Sequence, residues 1–154
     1  MDKERFEELV AELREEESNC IIVKGEDTLR FSLPGVKTLI TILKEDPSIL
    51  KESFVLDKIV GKGAAALMIL GEVKEIYAEL ISEHAVILLE KNNIKFSYGE
   101  RVPFIENRFK TGLCPIEMLS VTSDEPKIIH EKILDFLSTM NSTKRTNKNH
   151  LDEI

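Results

Sequence analysis

The glycine- and alanine-rich run DKIVGKGAAALMILGEVKEIYAELISEHA, residues 57–85, constrains the fold of this chain more than any other stretch. Gly61, Gly63, Ala64, Ala65 and Ala66 leave a helix almost without side-chain bulk, so it can lie close against a sheet. Its spacing predicts a helix over 60–70, ended by Gly71, then a strand over 73–81 apolar enough to be buried on both faces. A second helix opens at Ser82, with Ala85, Val86, Leu88 and Leu89 on its apolar side. Helices and strands in this alternation build layered α/β folds, whose ligands sit at the helix openings.

The flanking segments fit that plan. Phe6, Leu9, Val10 and Leu13 follow helical spacing, with Asp2 placed to cap the start. Residues 20–23 and 29–31 read as a hairpin around Gly25-Glu26-Asp27. Pro34-Gly35 breaks the chain, and Val36, Leu39, Ile40 and Leu43 mark a helix that stops before Pro47. Residues 53–56 read as extended or loop, 94–98 as a strand, and 99–113 as a long irregular segment of the kind that often carries function. Pro115 opens a helical turn. Asp124 is placed to cap a last helix over 125–140, with Ile129, Ile133, Phe136 and Leu137 inward, and the polar stretch 141–154 reads as a disordered tail. One domain over 1–140 is expected, a mixed sheet with helices on both faces in three layers.

Charge and composition narrow the partners. A net charge of -7 argues against a nucleic-acid duplex, which needs a basic surface. The longest apolar run, 64–70, is too short for a membrane span. The acidic N-terminus does not read as an export signal, and two cysteines are too few for a disulfide scaffold, so a reducing cytoplasm is expected. A homodimer is a further expectation.

Three places could carry chemistry. Asp57, Lys58 and Lys62 surround the start of the thin helix, where unpaired N–H groups favour anions. The plain alternative is an Asp57 cap with solvated lysines. Ser82, Glu83 and His84 open the next helix and either face the same cavity or form an ordinary capped end. Cys114-Pro115-Ile116-Glu117 sets a thiol at a helix cap, which favours its thiolate, while Glu117 opposes that shift or reaches back as in a capping box. Upstream, Asn107 and Arg108 add polar groups, and the Arg108 guanidinium suits a carboxylate or phosphate.

The strings DKIVGKGAAAL, VKEIYAELISEHA, VPFIENR and GLCPIE, spread over about residues 18–120, resemble an uncharacterised bacterial and archaeal domain-of-unknown-function family with a cytidine-deaminase-like fold. The resemblance implies an α/β/α sandwich and a pocket between two helix starts. It does not imply deamination. Zinc deaminases need H-x-E at one helix start and P-C-x-x-C at the next. Neither stands at Asp57 or at Ser82, and Cys114, Glu117 and Asp57 are a poor zinc set, so zinc is not expected and any cofactor is left open.

Three functions follow. The first is a zinc-free domain binding a small anionic or nucleotide-like ligand through Lys58, Lys62 and Arg108. The second is a thiol enzyme with Cys114 as nucleophile, Glu117, Asp57 or His84 moving protons and Lys62 lowering the thiol pKa. The third is a protein-interaction module.

Overall fold

The computed structural model describes residues 1–15, 18–107 and 110–143. Its strands are β1 (Cys20–Lys24), β2 (Asp27–Phe31), β3 (Phe54–Val60), β4 (Glu75–Ser82) and β5 (Lys95–Val102). They form one sheet in the order β2-β1-β3-β4-β5. β1 runs antiparallel to both of its neighbours, while β3, β4 and β5 are parallel. Among the described residues six α-helices and a 3-10 turn (Pro47–Ile49) accompany the sheet: α1 (Lys3–Arg14), α2 (Gly35–Glu45), α3 (Lys62–Leu70), α4 (Glu83–Lys91), α5 (Pro115–Ser120) and α6 (Pro126–Thr143). The class is α/β with a mixed sheet.

Local chemistry explains the regular parts. The Asp2 carboxylate accepts the Arg5 backbone N–H at 2.7 Å and starts α1. Gly25 takes a φ of +59° in the tight turn between Lys24 and Asp27, a value glycine adopts without steric cost. Phe6, Leu9, Val10 and Leu13 of α1 cover one sheet face with Ile21, Leu56 and Tyr77. The main core lies on the other face, under α2, α3 and α4, with α5 and α6 packed outside against α3. Helices thus cover the two faces unevenly.

The central helix is α3, buried from Lys62 through Met68 by the sheet and four other helices. Its small residues serve those neighbours. A Cβ on Gly63 would stand 2.5 Å from Ile116 Cγ2 and 2.9 Å from Ser120 Oγ, so this glycine admits α5 rather than the sheet. Gly71 ends α3 at an ordinary φ of -75° and is small because a Cβ would lie 2.6 Å from Leu50 Cδ1.

Several boundaries differ from the sequence reading. Residues 53–56, read as extended or loop, are extended and do not lead into a helix at Val60: β3 begins at Phe54 and continues through Val60, and α3 begins two residues later. The polar pair Asp57-Lys58 interrupts the apolar pattern and hides the strand. β5 runs to Val102 rather than Tyr98, paired with β4 along its length, so the irregular segment is shorter than 99–113. As an edge strand β5 is mostly exposed and lacks the apolar alternation that betrays a buried one. Asp124 does not cap α6; its carboxylate lies 2.8 Å from Lys62 Nζ and 2.7 Å from Lys91 Nζ. α6 continues past Met140 to Thr143, and residues 144–154 of the expected tail lie outside the described residues. Among the described residues no helix is long and apolar enough to cross a membrane.

The Gly63 contact makes a direct prediction. Gly63→Val should overpack the α3–α5 junction and lower the unfolding free energy by about 1–3 kcal/mol, read from urea denaturation. An unchanged midpoint would mean that α5 does not rest on Gly63.

Candidate functional site

A cavity of about 950 Å³ opens at the carboxyl ends of the parallel strands. Its walls come from β3 (Asp57, Lys58, Ile59), the starts of α2 (Gly35, Lys37) and α3 (Gly61, Gly63), the ends of β4 and β5, and the segment from Pro103 to Glu117. Parallel strands that turn into helices leave a crevice at this end, where α/β proteins commonly bind ligands. The two helix starts that meet here are α2 and α3. The sequence reading put the pocket one helix later, between α3 and α4, because it missed the end of β3.

Asp57 sits in this wall within β3, paired across the sheet with Cys20 on one side and Ala78 on the other. It is 2% exposed. It is therefore no helix cap; Gly61 holds that position and supplies no side-chain hydrogen bond. Asp57 Oδ2 finds no hydrogen-bond partner among the described residues. A Cβ at position 35 would lie 2.0 Å from that oxygen, so the carboxyl reaches this corner only because residue 35 is glycine. Burial pushes its pKa from 3.8 up to about 7, against the backbone N–H groups of Ile59 and Lys58, which favour the charged form. The same burial, aided by Asp57, raises the Cys20 thiol well above its usual range, which makes it unreactive near neutral pH.

Glu117 is the second buried carboxyl, 2% exposed, and its position is quite different. Oε1 accepts the Lys62 backbone N–H at 2.9 Å and the Ser82 hydroxyl at 3.0 Å, and Oε2 accepts the Ile105 backbone N–H at 2.6 Å. It caps α3 from another element. The Ser82 hydroxyl in turn accepts the Ala85 N–H at 3.2 Å and caps α4. Glu117 thus does not reach back to Cys114, whose own backbone N–H donates to the Ile105 carbonyl at 2.9 Å.

The remaining candidates divide. Lys58, Asn107 and Cys114 line the cavity along with Asp57 and Glu117. Asn107 closes its own loop, donating to Thr111 Oγ1 and accepting the Thr111 N–H, both at 3.0 Å. Lys62 does not line the cavity; its buried side chain runs to Asp124, and the two lysines there hold the Asp124 pKa down at about 2. Ser82 supports the wall from behind, through Glu117. Glu83 faces away and forms a forked pair with Arg101 at 2.5 and 2.6 Å. His84 is not among the lining residues. Arg108 lies outside the described residues. Sequence reasoning missed Gly35, Lys37 and Lys110. The Pro34-Gly35 pair was the available signal for the first two, read only as a break.

Among the described residues no three His, Cys, Asp or Glu side chains group to hold a metal ion. The converging helices open with Gly35-Val36-Lys37 and Lys62-Gly63-Ala64, which offer neither H-x-E nor P-C-x-x-C.

A family model described as a domain of unknown function, DUF1893, matches residues 8–137. The crystal structure of a DUF1893 family protein, TM1506 from Thermotoga maritima, is similar to this chain with a TM-score of 0.77 and 26% sequence identity. The match covers 88% of this chain and 91% of that one. No protein of curated annotation matches.

The two carboxyls differ in what their loss should do. Glu117→Ala strands three buried donors and should cost about 3 kcal/mol or more, whereas Glu117→Gln should recover part of this and still set a donor against the Ile105 N–H. Urea denaturation of both variants checks the order, and a silent Glu117→Ala would remove Glu117 as the tie between these elements. Asp57 behaves oppositely. Its folded pKa lies above its unfolded one, so stability is free of penalty below about pH 3.8 and falls as pH rises from there to about 7. Above that the penalty levels at on the order of 4 kcal/mol. The stability gained by Asp57→Asn should therefore grow between these pH values and stay flat beyond them, measured by denaturation at stepped pH. A gain that does not change with pH would contradict the buried-charge account.

Proposed function

This chain belongs to the DUF1893 family, and from that premise we propose that it is a zinc-free, cytidine-deaminase-like domain that binds a small anionic, nucleotide-like molecule in the cavity over Asp57. The observation that carries the reading is a buried carboxyl oxygen without a partner in the wall of a cavity of about 950 Å³. Buried polar groups are otherwise hydrogen-bonded, and exceptions gather where ligands or chemistry supply the missing partner. The deaminase-like part is supported by the element order, a hairpin followed by three parallel strands joined through helices, with the crevice over two successive helix starts.

Lys37, Lys58 and Lys110 supply the positive charge for an anionic group. Of the set expected from sequence, Lys58 is kept, Lys62 is engaged by Asp124, and Arg108 lies outside the described residues. Val102, Phe104, Ile59 and Leu80 give the apolar surface that a ring would cover. The cavity volume suits a mononucleotide-sized molecule. The thiol alternative has less behind it. Cys114 stands in the wall, yet of its three candidate proton partners Glu117 is already committed to three donors and His84 does not line the cavity, which leaves Asp57.

A thermal-shift panel of nucleoside monophosphates, nucleosides and inorganic phosphate tests the proposal. A nucleotide at a hundred times its Kd should add about 2.7 kcal/mol of stability, and Lys58→Ala should weaken it while leaving the unliganded midpoint unchanged. No shift from any phosphate-bearing probe would overturn the reading.

A further inference from the structure

The sheet ends at β5, and among the described residues no strand pairs with its outer side. We propose that β5 is a homodimer edge: two copies of this chain pair β5 with β5, antiparallel, about a twofold axis at Ser97. One sheet then runs across both copies. The occupant of the edge is a second copy of this chain, and the proposal does not depend on what the cavity binds.

β5 is eight residues long, and none of them is buried. The opposite edge, β2, has five residues. A long uncovered edge presents a row of N–H and C=O groups, which is a template for a further strand. Proteins commonly blunt such an edge with charges that stand on it. Here the basic side chains are drawn back to their own chain. Lys95 lies 3.6 Å from Glu75 on β4, and Arg101 holds its forked pair with Glu83. Between them Phe96 and Tyr98 stack with ring centroids 6.4 Å apart, and Tyr98 is 41% exposed. A strand pair alone is small beside the about 1,200–2,000 Å² that stable interfaces bury. The apolar surface does not stop at the strand, because α4 packs against β5 and carries the half-exposed Ile87.

The residues of β5 select the register. In a symmetric antiparallel pair the axis lies at the centre of a residue pair, so one residue faces its own copy. With Ser97 on the axis, Phe96 of each copy faces Tyr98 of the other, which makes two aromatic cross-strand pairs. Lys95 then faces Gly99, and no like charges are level. Lys95 and Arg101 of different copies stay two positions apart, each held by its own carboxylate. With Tyr98 on the axis, Lys95 is level with Arg101 of the second copy, which is unfavourable. With Gly99 there, Tyr98 meets Glu100 and the aromatic pairs are lost. With Phe96 there, only residues 95–97 of the strand pair. In the Ser97 register the paired stretch, 95–99, stops short of Glu100 and Val102, where β5 lines the cavity, so the pairing leaves both cavities free.

Sedimentation velocity on the full chain tests this, over concentrations from about 1 μM to about 1 mM, the range of weak association. The wild-type chain should pass from monomer to dimer within it. Ser97 is exposed, so substitutions there should leave the urea midpoint unchanged. Ser97→Lys and Ser97→Asp each set two like charges against one another on the axis, and each alone should weaken association about tenfold or more. An equimolar mixture of the two variants should dimerise again, because unlike charges then meet there. This rescue is specific to the Ser97 register; a variant that disturbed only the monomer would not show it. A wild-type chain that stays monomeric throughout would overturn the proposal. So would a dimer that neither variant weakens, or a loss in both that mixing does not restore.

Discussion

Three elements that sequence separates are tied together by one carboxylate. Glu117 on the short helix α5 accepts from the first N–H of α3, from the cap residue of α4 and from the backbone at Ile105. α3 is the helix around which the other helices pack, and its cap Gly61 has no side chain to satisfy the opening N–H groups. A helix start buried without partners would be costly. Glu117 removes that cost and fixes the far wall of the cavity in the same act. A Cβ on Gly61 would come within 3.2 Å of Glu117 Oε1, so the glycine at the cap and the carboxylate from α5 fit one another.

That arrangement gives a standard for judging Asp57. The two carboxyls are equally buried and lie in the same cavity wall. Glu117 is saturated by three donors, which is how a structural carboxylate is accommodated. Asp57 keeps one oxygen without a partner and a pKa raised to about 7. Burial of this kind works against the fold above neutral pH. Against a total stability of about 5–15 kcal/mol, a few kcal/mol is a large share. Local conflicts of this sort are expected where a protein does its work.

Much of the architecture was legible in the sequence. Apolar spacing located α1, α2, α4 and α6, the hairpin signal at Gly25 was correct, and Ser82 caps α4 as its position suggested. The failures share a physical origin. β3 carries an acid and a lysine in its middle, and β5 is an exposed edge, so neither shows the apolar run or alternation that marks a strand. Missing the end of β3 moved the candidate pocket by one helix. It turned Asp57 from a strand residue facing a cavity into an apparent cap. Lys62 could not be read correctly either, because its partner Asp124 is 62 positions away. Glu117 was singled out, but its partners at 62, 82 and 105 are brought to it only by the tertiary fold.

The glycines sharpen the same point. Local sequence marks a glycine as a place where something comes close, without saying what. Gly63 was read as letting its helix lie close against a sheet, and the neighbour it admits is α5. Gly35, read as a chain break, is where a carboxyl side chain approaches the backbone. Of the two, only Gly35 borders an unsatisfied group. A glycine that admits an apolar side chain is complete once packing is complete. A glycine that admits a buried carboxyl whose oxygen has no hydrogen-bond partner among the described residues leaves that group unsatisfied in the cavity wall.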